Sequence, residues 1–136
     1  VTRLEFIDGD LVYAMRVRAE NTFNLCPAEG CERVAADGKN AASVRFEHAP
    51  DIAAEAIDAS RRIVQAAGLD VGGVEYIETH DGSRYFFDIN ATSSYRRDVS
   101  QAAGVDPYTR LVRYLERQVE RAYEECRHSG AALAAA

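Results

Sequence analysis

The feature that most limits what this chain can become is the stretch Gly72 to Asn90, in which two runs rich in β-branched and aromatic residues flank the dipeptide Asp81-Gly82. Asp-Gly supplies the positive φ angles of a tight reversal, so the stretch predicts a β-hairpin with a type I′ turn. With Asp81 and Gly82 as the two loop residues, His80 faces Ser83, and counting outward sets Glu75 directly opposite Asp88. The period of two along a strand then puts Asn90 on the same face. Opposed Cβ atoms stand about 5 Å apart, and two carboxylates there repel by roughly 3 kcal/mol at an effective dielectric near 20. A divalent cation offsets that repulsion. Two carboxylates and an amide oxygen are the hard donors magnesium takes when phosphates and water complete its shell. A shared solvated face, protonation of one acid, or a structural calcium or magnesium ion would accommodate the pair as well. The flanking Val74, Tyr76, Phe86, Phe87 and Ile89 favour a semi-buried setting, where an unpaired charge is costly.

Gly73-Val74-Glu75-Tyr76, followed thirteen residues after its acid by Asp88-Ile89-Asn90, resembles the metal-binding signature of ATP-grasp enzymes. The resemblance implies that Glu75, Asp88 and Asn90 are ligands of magnesium, or of manganese, which they hold against the phosphates of ATP. The order of the acids departs from many members, which place the shorter acid first. Exchanging a long and a short acid across a facing pair keeps their summed reach, so the site is expected to persist with the ion displaced sideways. After Asn90 many members continue with Ser-Pro-Gly or Pro-Arg, whereas this chain reads Ala91-Thr92-Ser93-Ser94-Tyr95-Arg96-Arg97.

With 136 residues, 47% of them hydrophobic, the chain has the material for one domain with a genuine core. A net charge of −6 argues against nucleic acid or an anionic membrane surface as a general partner, because both need a basic field. No apolar run is long enough to span a bilayer and no signal peptide is recognisable, so a cytoplasmic location is the expectation. A homo-oligomer is compatible with this composition. Three cysteines are an odd number, unlike a secreted disulfide framework. Cys26 and Cys31 have no evident further zinc ligands nearby and read as ordinary thiols in a structured loop, with zinc or a redox disulfide as alternatives. Cys126 falls in a helical pattern and reads as packing. The chain opens at Val1 and its one methionine, Met15, sits inside a strand pattern, so a piece of a longer protein is expected. Residues 1–130 read as the folded domain and the alanine-rich residues 131–136 as a disordered or appended tail.

Val1 to Phe6 and Leu11 to Arg18 predict a first hairpin around Asp8-Gly9. Simple alternation puts Leu4, Phe6, Leu11, Tyr13 and Met15 on one face and Arg3, Glu5, Arg16 and Arg18 on the other. Gathered guanidinium groups suit an anion, since Arg presents fixed bidentate donors, and they equally suit an edge strand that must stay soluble. Residues 19 to 42 carry loop signals, and Ser43 to Glu47 is a short strand candidate. Pro50-Asp51 opens a helix with apolar positions Ile52, Ala56, Ala59, Ile63 and Ala67, closed by Gly68. Arg96 and Arg97 lie in a polar loop, facing solvent or reaching a phosphate. A helical turn over Val99 to Gly104 precedes a last helix that Asp106-Pro107 starts and Gly130 ends. Its expected buried stripe is Leu111, Leu115, Val119 and Tyr123, joined by Val112, Ala122 and Cys126. Alternating charges cover the rest as a solvated face. His48, His80 and His128 are scattered and carry no catalytic expectation.

Hairpin, loop, strand, helix, hairpin, helix is the order of an α+β domain, an antiparallel sheet with helices packed on one side. It resembles the C-terminal subdomain of the ATP-grasp fold, within the carboxylate-amine ligase branch that includes ribosomal-protein glutamate ligases. In that branch one arginine follows the first residues of a comparable hairpin and another follows an Ala-Met pair. Arg3 and Arg16 match these positions, which implies a role in holding the transferred phosphoryl group or the acyl substrate. Asn24, in Phe23-Asn24-Leu25, matches a position near the phosphates. The implied reaction has two steps: a carboxylate attacks the γ-phosphate of ATP to give an acylphosphate, and an amine then displaces phosphate. Placement and charge neutralisation carry the first step, and no histidine base is required. Lys39 is the only lysine, and no glycine-rich phosphate loop is present. In the family an earlier subdomain completes the adenine pocket. The chain is therefore expected to need the preceding part of the same protein and to be inactive alone. A non-catalytic relative that keeps the fold as a ligand-binding or assembly module is the second reading.

Overall fold

The structure, a computed structural model, describes residues 1–19 and 44–134. Asn24, Cys26 and Cys31 lie outside the described residues. Strand β1 (Thr2–Ile7) turns into β2 (Asp10–Ala19); β3 (Val44–His48) and helix α1 (Ala54–Ala66) precede the hairpin of β4 (Val71–Glu78) and β5 (Arg84–Asn90), which leads to α2 (Arg97–Ala103) and α3 (Pro107–Ala134). The strands form one antiparallel sheet in the order β3-β2-β1-β4-β5. This is the α+β class expected from the sequence, with α1 packed on one side of the sheet. Among the described residues no helix is long and apolar enough to cross a membrane.

The two hairpins reverse differently. Asp8 (φ 56°) and Gly9 (φ 76°) both take positive φ, the type I′ pair that joins strands through two residues. In the second hairpin Gly82 alone does so, at φ 82°. There the Gly82 N–H donates to the Thr79 carbonyl at 2.9 Å and the Thr79 N–H to the Ser83 carbonyl at 2.9 Å. The loop is thus a type I turn closed by a left-handed glycine, one residue longer than the expected type I′ turn. Phe87 then bulges from β5 between the pairs Tyr76–Phe86 and Glu75–Asp88, and the register recovers.

A bulge in the first hairpin changes more. Phe6 pairs with Leu11 but Glu5 pairs with Tyr13, which leaves Val12 extra on β2. A slip of one residue sends every later side chain to the other face. The expected faces are corrected accordingly: Leu4, Phe6, Leu11 and Ala14 look toward α1, while Tyr13 and Met15 join Arg3 and Glu5. Arg16 and Arg18 move with Ala14, to the face opposite Arg3.

The core lies between the sheet and α1: Leu4, Phe6, Ala14, Val74 and Tyr76 pack with Ala56 and Val64, and Ile52, Ile57, Ile63 and Leu69 flank them. Each fully buried large apolar side chain contributes about 2 kcal/mol. The buried line of α1 is Ala56, Ser60 and Val64, rotated from the expected line through Ala59 and Ile63. Ser60 is tolerated there because its hydroxyl donates to the Ala56 carbonyl at 2.8 Å, so no polar group is left unmade.

The residues divide into two compact units, Val1–Val105 and Asp106–Ala136. In the second, Asp106 caps α3: the N–H groups of Tyr108 and Thr109 donate to its Oδ1 at 3.0 and 3.1 Å, and the Thr109 hydroxyl donates to Oδ2 at 2.7 Å. The helix continues past Gly130 to Ala134. Alanine has the highest helix propensity, and the run beyond Gly130 offsets the single glycine. The stripe expected to be buried is not: Leu115, Val119 and Tyr123 are 51%, 69% and 66% exposed, and Val112 and Cys126 are exposed too. Periodicity fixes which side chains share one side of a helix, not what covers that side.

Candidate metal and phosphate site

The face of the sheet opposite the α1 core carries two adjacent cross-strand rows. Met15, Arg3, Glu75 and Asp88 form one; Tyr13, Glu5, Gly73 and Asn90 form the next. Directly opposed residues lie about 5 Å apart, so one guanidinium, the carboxylates of Glu5, Glu75 and Asp88, and one amide share a single patch.

Arg3 is its centre and is only 8% exposed. Its Nε donates to Glu5 Oε1 at 2.6 Å, Nη1 to Glu75 Oε1 at 2.8 Å, and Nη2 to the Thr92 carbonyl at 3.2 Å. Burial works against the charged guanidinium, but the Glu5 and Glu75 carboxylates outweigh it and hold its pKa above the ordinary value. Gly73 makes the arrangement fit. A Cβ at that position would stand 2.8 Å from Arg3 Nη2 and 3.0 Å from its Cζ and Nε, so the guanidinium lies flat over bare backbone.

Glu5 is completely buried, and its Oε2 has no hydrogen-bond partner among the described residues. Such an unmade buried acceptor costs about 1–3 kcal/mol. Glu75 is 7% exposed, whereas Asp88 is exposed on the edge strand β5, where the Asn90 amide Nδ2 donates to its Oδ2 at 3.1 Å. In the adjoining row the Tyr13 hydroxyl accepts the Arg96 N–H at 3.0 Å, and burial pushes its pKa up to about 12.

Glu75 and Asp88 therefore face one another as the sequence suggested, with Asn90 on the same side. Arg3 joins them, but Arg16 does not. Arg16 Nη1 pairs with Asp51 Oδ1 at 2.8 Å on the other face, and both line a cleft of about 420 Å³ together with Thr2, Tyr76, Glu78 and Arg84. Arg96 stands 3.9 Å over the Phe46 ring and pairs with Asp98 at 3.2 Å, contacts that hold the chain entering α2. Glu5 received no role from the sequence. Its one signal was the alternation with Arg3, and an acid two residues from an arginine on a strand usually marks a surface pair.

The patch suits a divalent cation on charge and donor type. On β1, β4 and β5 three carboxylates face one guanidinium, so acids outnumber guanidinium groups in the patch. Among the described residues no group of three or more His, Cys, Asp or Glu stands ready to hold a metal ion. Glu75, Asp88 and Asn90 fit instead as an incomplete set of oxygen donors, which phosphate and water oxygens would finish. The amide of Asn90 donates toward Asp88 and keeps its own oxygen as an acceptor.

No family model matches the chain, and no curated protein matches its sequence. Its fold, however, is similar to part of two solved structures of an ATP-grasp ligase. The structure of the ATP-grasp ligase PsnB complexed with minimal precursor superposes with a TM-score of 0.62 at 22% identity, over 87% of this chain and 35% of that one. PsnB complexed with a phosphomimetic variant of the minimal precursor, Mg and ADP gives 0.60 at 24% identity, over 86% of this chain and 32% of that one. The chain thus spans about a third of the length of these ligase structures, 35% and 32%.

Proposed function

We propose that this chain is the C-terminal ATP-grasp portion of a longer ATP-dependent carboxylate-amine ligase, to which it contributes the magnesium and ATP-phosphate site. One observation carries the reading: Glu75 and Asp88 meet across β4 and β5, with Asn90 beside them, in a patch that bears excess negative charge. The fold supports it, since PsnB, a ligase solved with Mg, ADP and a precursor, shares this architecture. Glu75, Asp88 and Asn90 would hold the ion, which would supply positive charge against the phosphates. Arg3 neutralises Glu75 in the metal-free site, and its guanidinium would serve the transferred phosphoryl group or the acyl substrate. Arg16 belongs to the opposite face, which weakens its match to a substrate-holding arginine. The substrate carboxylate attacks the γ-phosphorus of ATP, releasing ADP and giving an acylphosphate, and an amine attacks the acyl carbon and releases phosphate, both by placement and charge neutralisation. The preceding part of the same protein supplies the adenine pocket, so the chain alone shows no ATP turnover.

The test uses the longer protein. Glu75→Gln with Asp88→Asn should abolish ATP-dependent ligation and phosphate release while the fold, followed by circular dichroism, is retained. Full activity in that double variant would remove the assignment of the metal and phosphate site to Glu75 and Asp88. A second reading, a non-catalytic module that keeps the fold, is favoured by one contact: Arg3 already satisfies Glu75 Oε1 at 2.8 Å. In that case the double variant leaves function untouched, and neither magnesium nor nucleotide binds at this face.

A further inference from the structure

Glu75 is asked to serve two cations. Arg3 holds one of its oxygens at 2.8 Å, and the proposed metal site needs the same carboxylate. A buried guanidinium that surrenders a carboxylate without a replacement is strongly destabilised, so an unaided exchange would work against metal binding. The structure provides the replacement. Glu5 is completely buried and held to Arg3 Nε at 2.6 Å, and its second oxygen has no partner among the described residues. Guanidinium and carboxylate pair best through two parallel N–H···O bonds, and this pair now makes one. Bare backbone at Gly73 leaves the guanidinium plane unobstructed.

Building on the metal reading of Glu75, Asp88 and Asn90, we propose that Glu5 is a positioning residue: it anchors Arg3 and offers its spare oxygen when a divalent cation draws Glu75 away. Without the ion Arg3 bridges Glu5 and Glu75; with it Glu5 is the one carboxylate that Arg3 keeps. No covalent bond changes, and Glu5 never touches the ion.

The test is a titration of this chain with Mn²⁺, followed by the loss of the free-ion electron paramagnetic resonance signal. Glu5→Gln keeps size and burial but removes the charge that anchors Arg3, so Arg3 falls wholly to Glu75 and the Mn²⁺ dissociation constant should rise about tenfold. Adding Arg3→Met to that variant removes the competitor, and binding should recover to wild-type strength or better. A Glu5→Gln constant within twofold of wild type overturns the proposal. So does equally weak binding in the Arg3→Met, Glu5→Gln double variant, because Glu5 would then act without Arg3. Should Glu5→Gln fail to fold, the double variant, in which Glu75 is the one acid that loses its guanidinium, decides alone: binding weaker than wild type rejects the proposal. Failure of the underlying reading looks different, since Mn²⁺ would then bind no worse to Glu75→Gln with Asp88→Asn than to wild type.

Discussion

Arg3 is the residue on which the candidate site turns, because it neutralises two carboxylates that have little water. Arg3→Met leaves Glu5 and Glu75 buried without a counter-charge, and should lower unfolding stability by about 3–5 kcal/mol in urea titrations. Arg3→Lys should recover only a small part, since an ammonium cannot reach Glu5, Glu75 and the Thr92 carbonyl from one plane. A loss below 1 kcal/mol would mean that Arg3 is dispensable. Gly73→Ala presses a methyl group against the guanidinium at 2.8 Å and should cost about 1–3 kcal/mol, read the same way. At this scale the sequence disclosed that Glu75 faces Asp88 with Asn90 on the same side, because opposed carboxylates are chemically conspicuous. It did not disclose that Glu5 lies buried against Arg3, since nothing in Arg-Leu-Glu separates a solvated pair from a sequestered one.

Single inserted residues decided how well the elements were read. In the first hairpin the bulge at Val12 reversed the facing of Arg16, Arg18, Tyr13 and Met15, and alternation carries no mark of such an insertion. In the second, the turn is one residue longer than expected and Phe87 bulges by one, so the errors cancel and Glu75 still meets Asp88. Gly82→Ala, at φ 82°, should destabilise by about 1 kcal/mol in thermal melts without moving that pairing. Tyr13 ties β2 to the chain before α2 in its neutral form. Its folded pKa, about 12, lies above the unfolded value near 10. The stability it adds is therefore complete below about pH 10 and is lost as pH rises toward 12, and Tyr13→Phe should flatten that alkaline decline. At the other extreme, the Thr109 hydroxyl and the N–H groups of Thr109 and Tyr108 hold the Asp106 carboxyl below the ordinary Asp value. Its support of α3 is present above about pH 4 and fades as pH falls through the depressed folded pKa. Helicity lost on acidification should be smaller in Asp106→Asn, which keeps a capping oxygen without the charge.

For the molecule as a whole, the class and the strand sequence were legible because Asp-Gly turns and period-two runs are local signals. Strand order and the coverage of α3 depend on contacts distant in sequence, which no local pattern encodes. The stripe Leu111, Leu115, Val119 and Tyr123 shows the limit: its spacing is helical, yet Leu111 is half-buried and the other three are exposed. Likeness of fold to part of an ATP-grasp ligase, joined to a patch in which acids outnumber guanidinium groups, makes the proposed divalent-cation binding the central claim. It is tested most directly by adding substoichiometric Mn²⁺ with ADP to isotopically labelled chain and recording paramagnetic broadening of backbone amide resonances. Selective loss of the signals around Glu75, Asp88 and Asn90 is the predicted result. Signals there that stay sharp while others broaden, or a spectrum that does not respond, would contradict it.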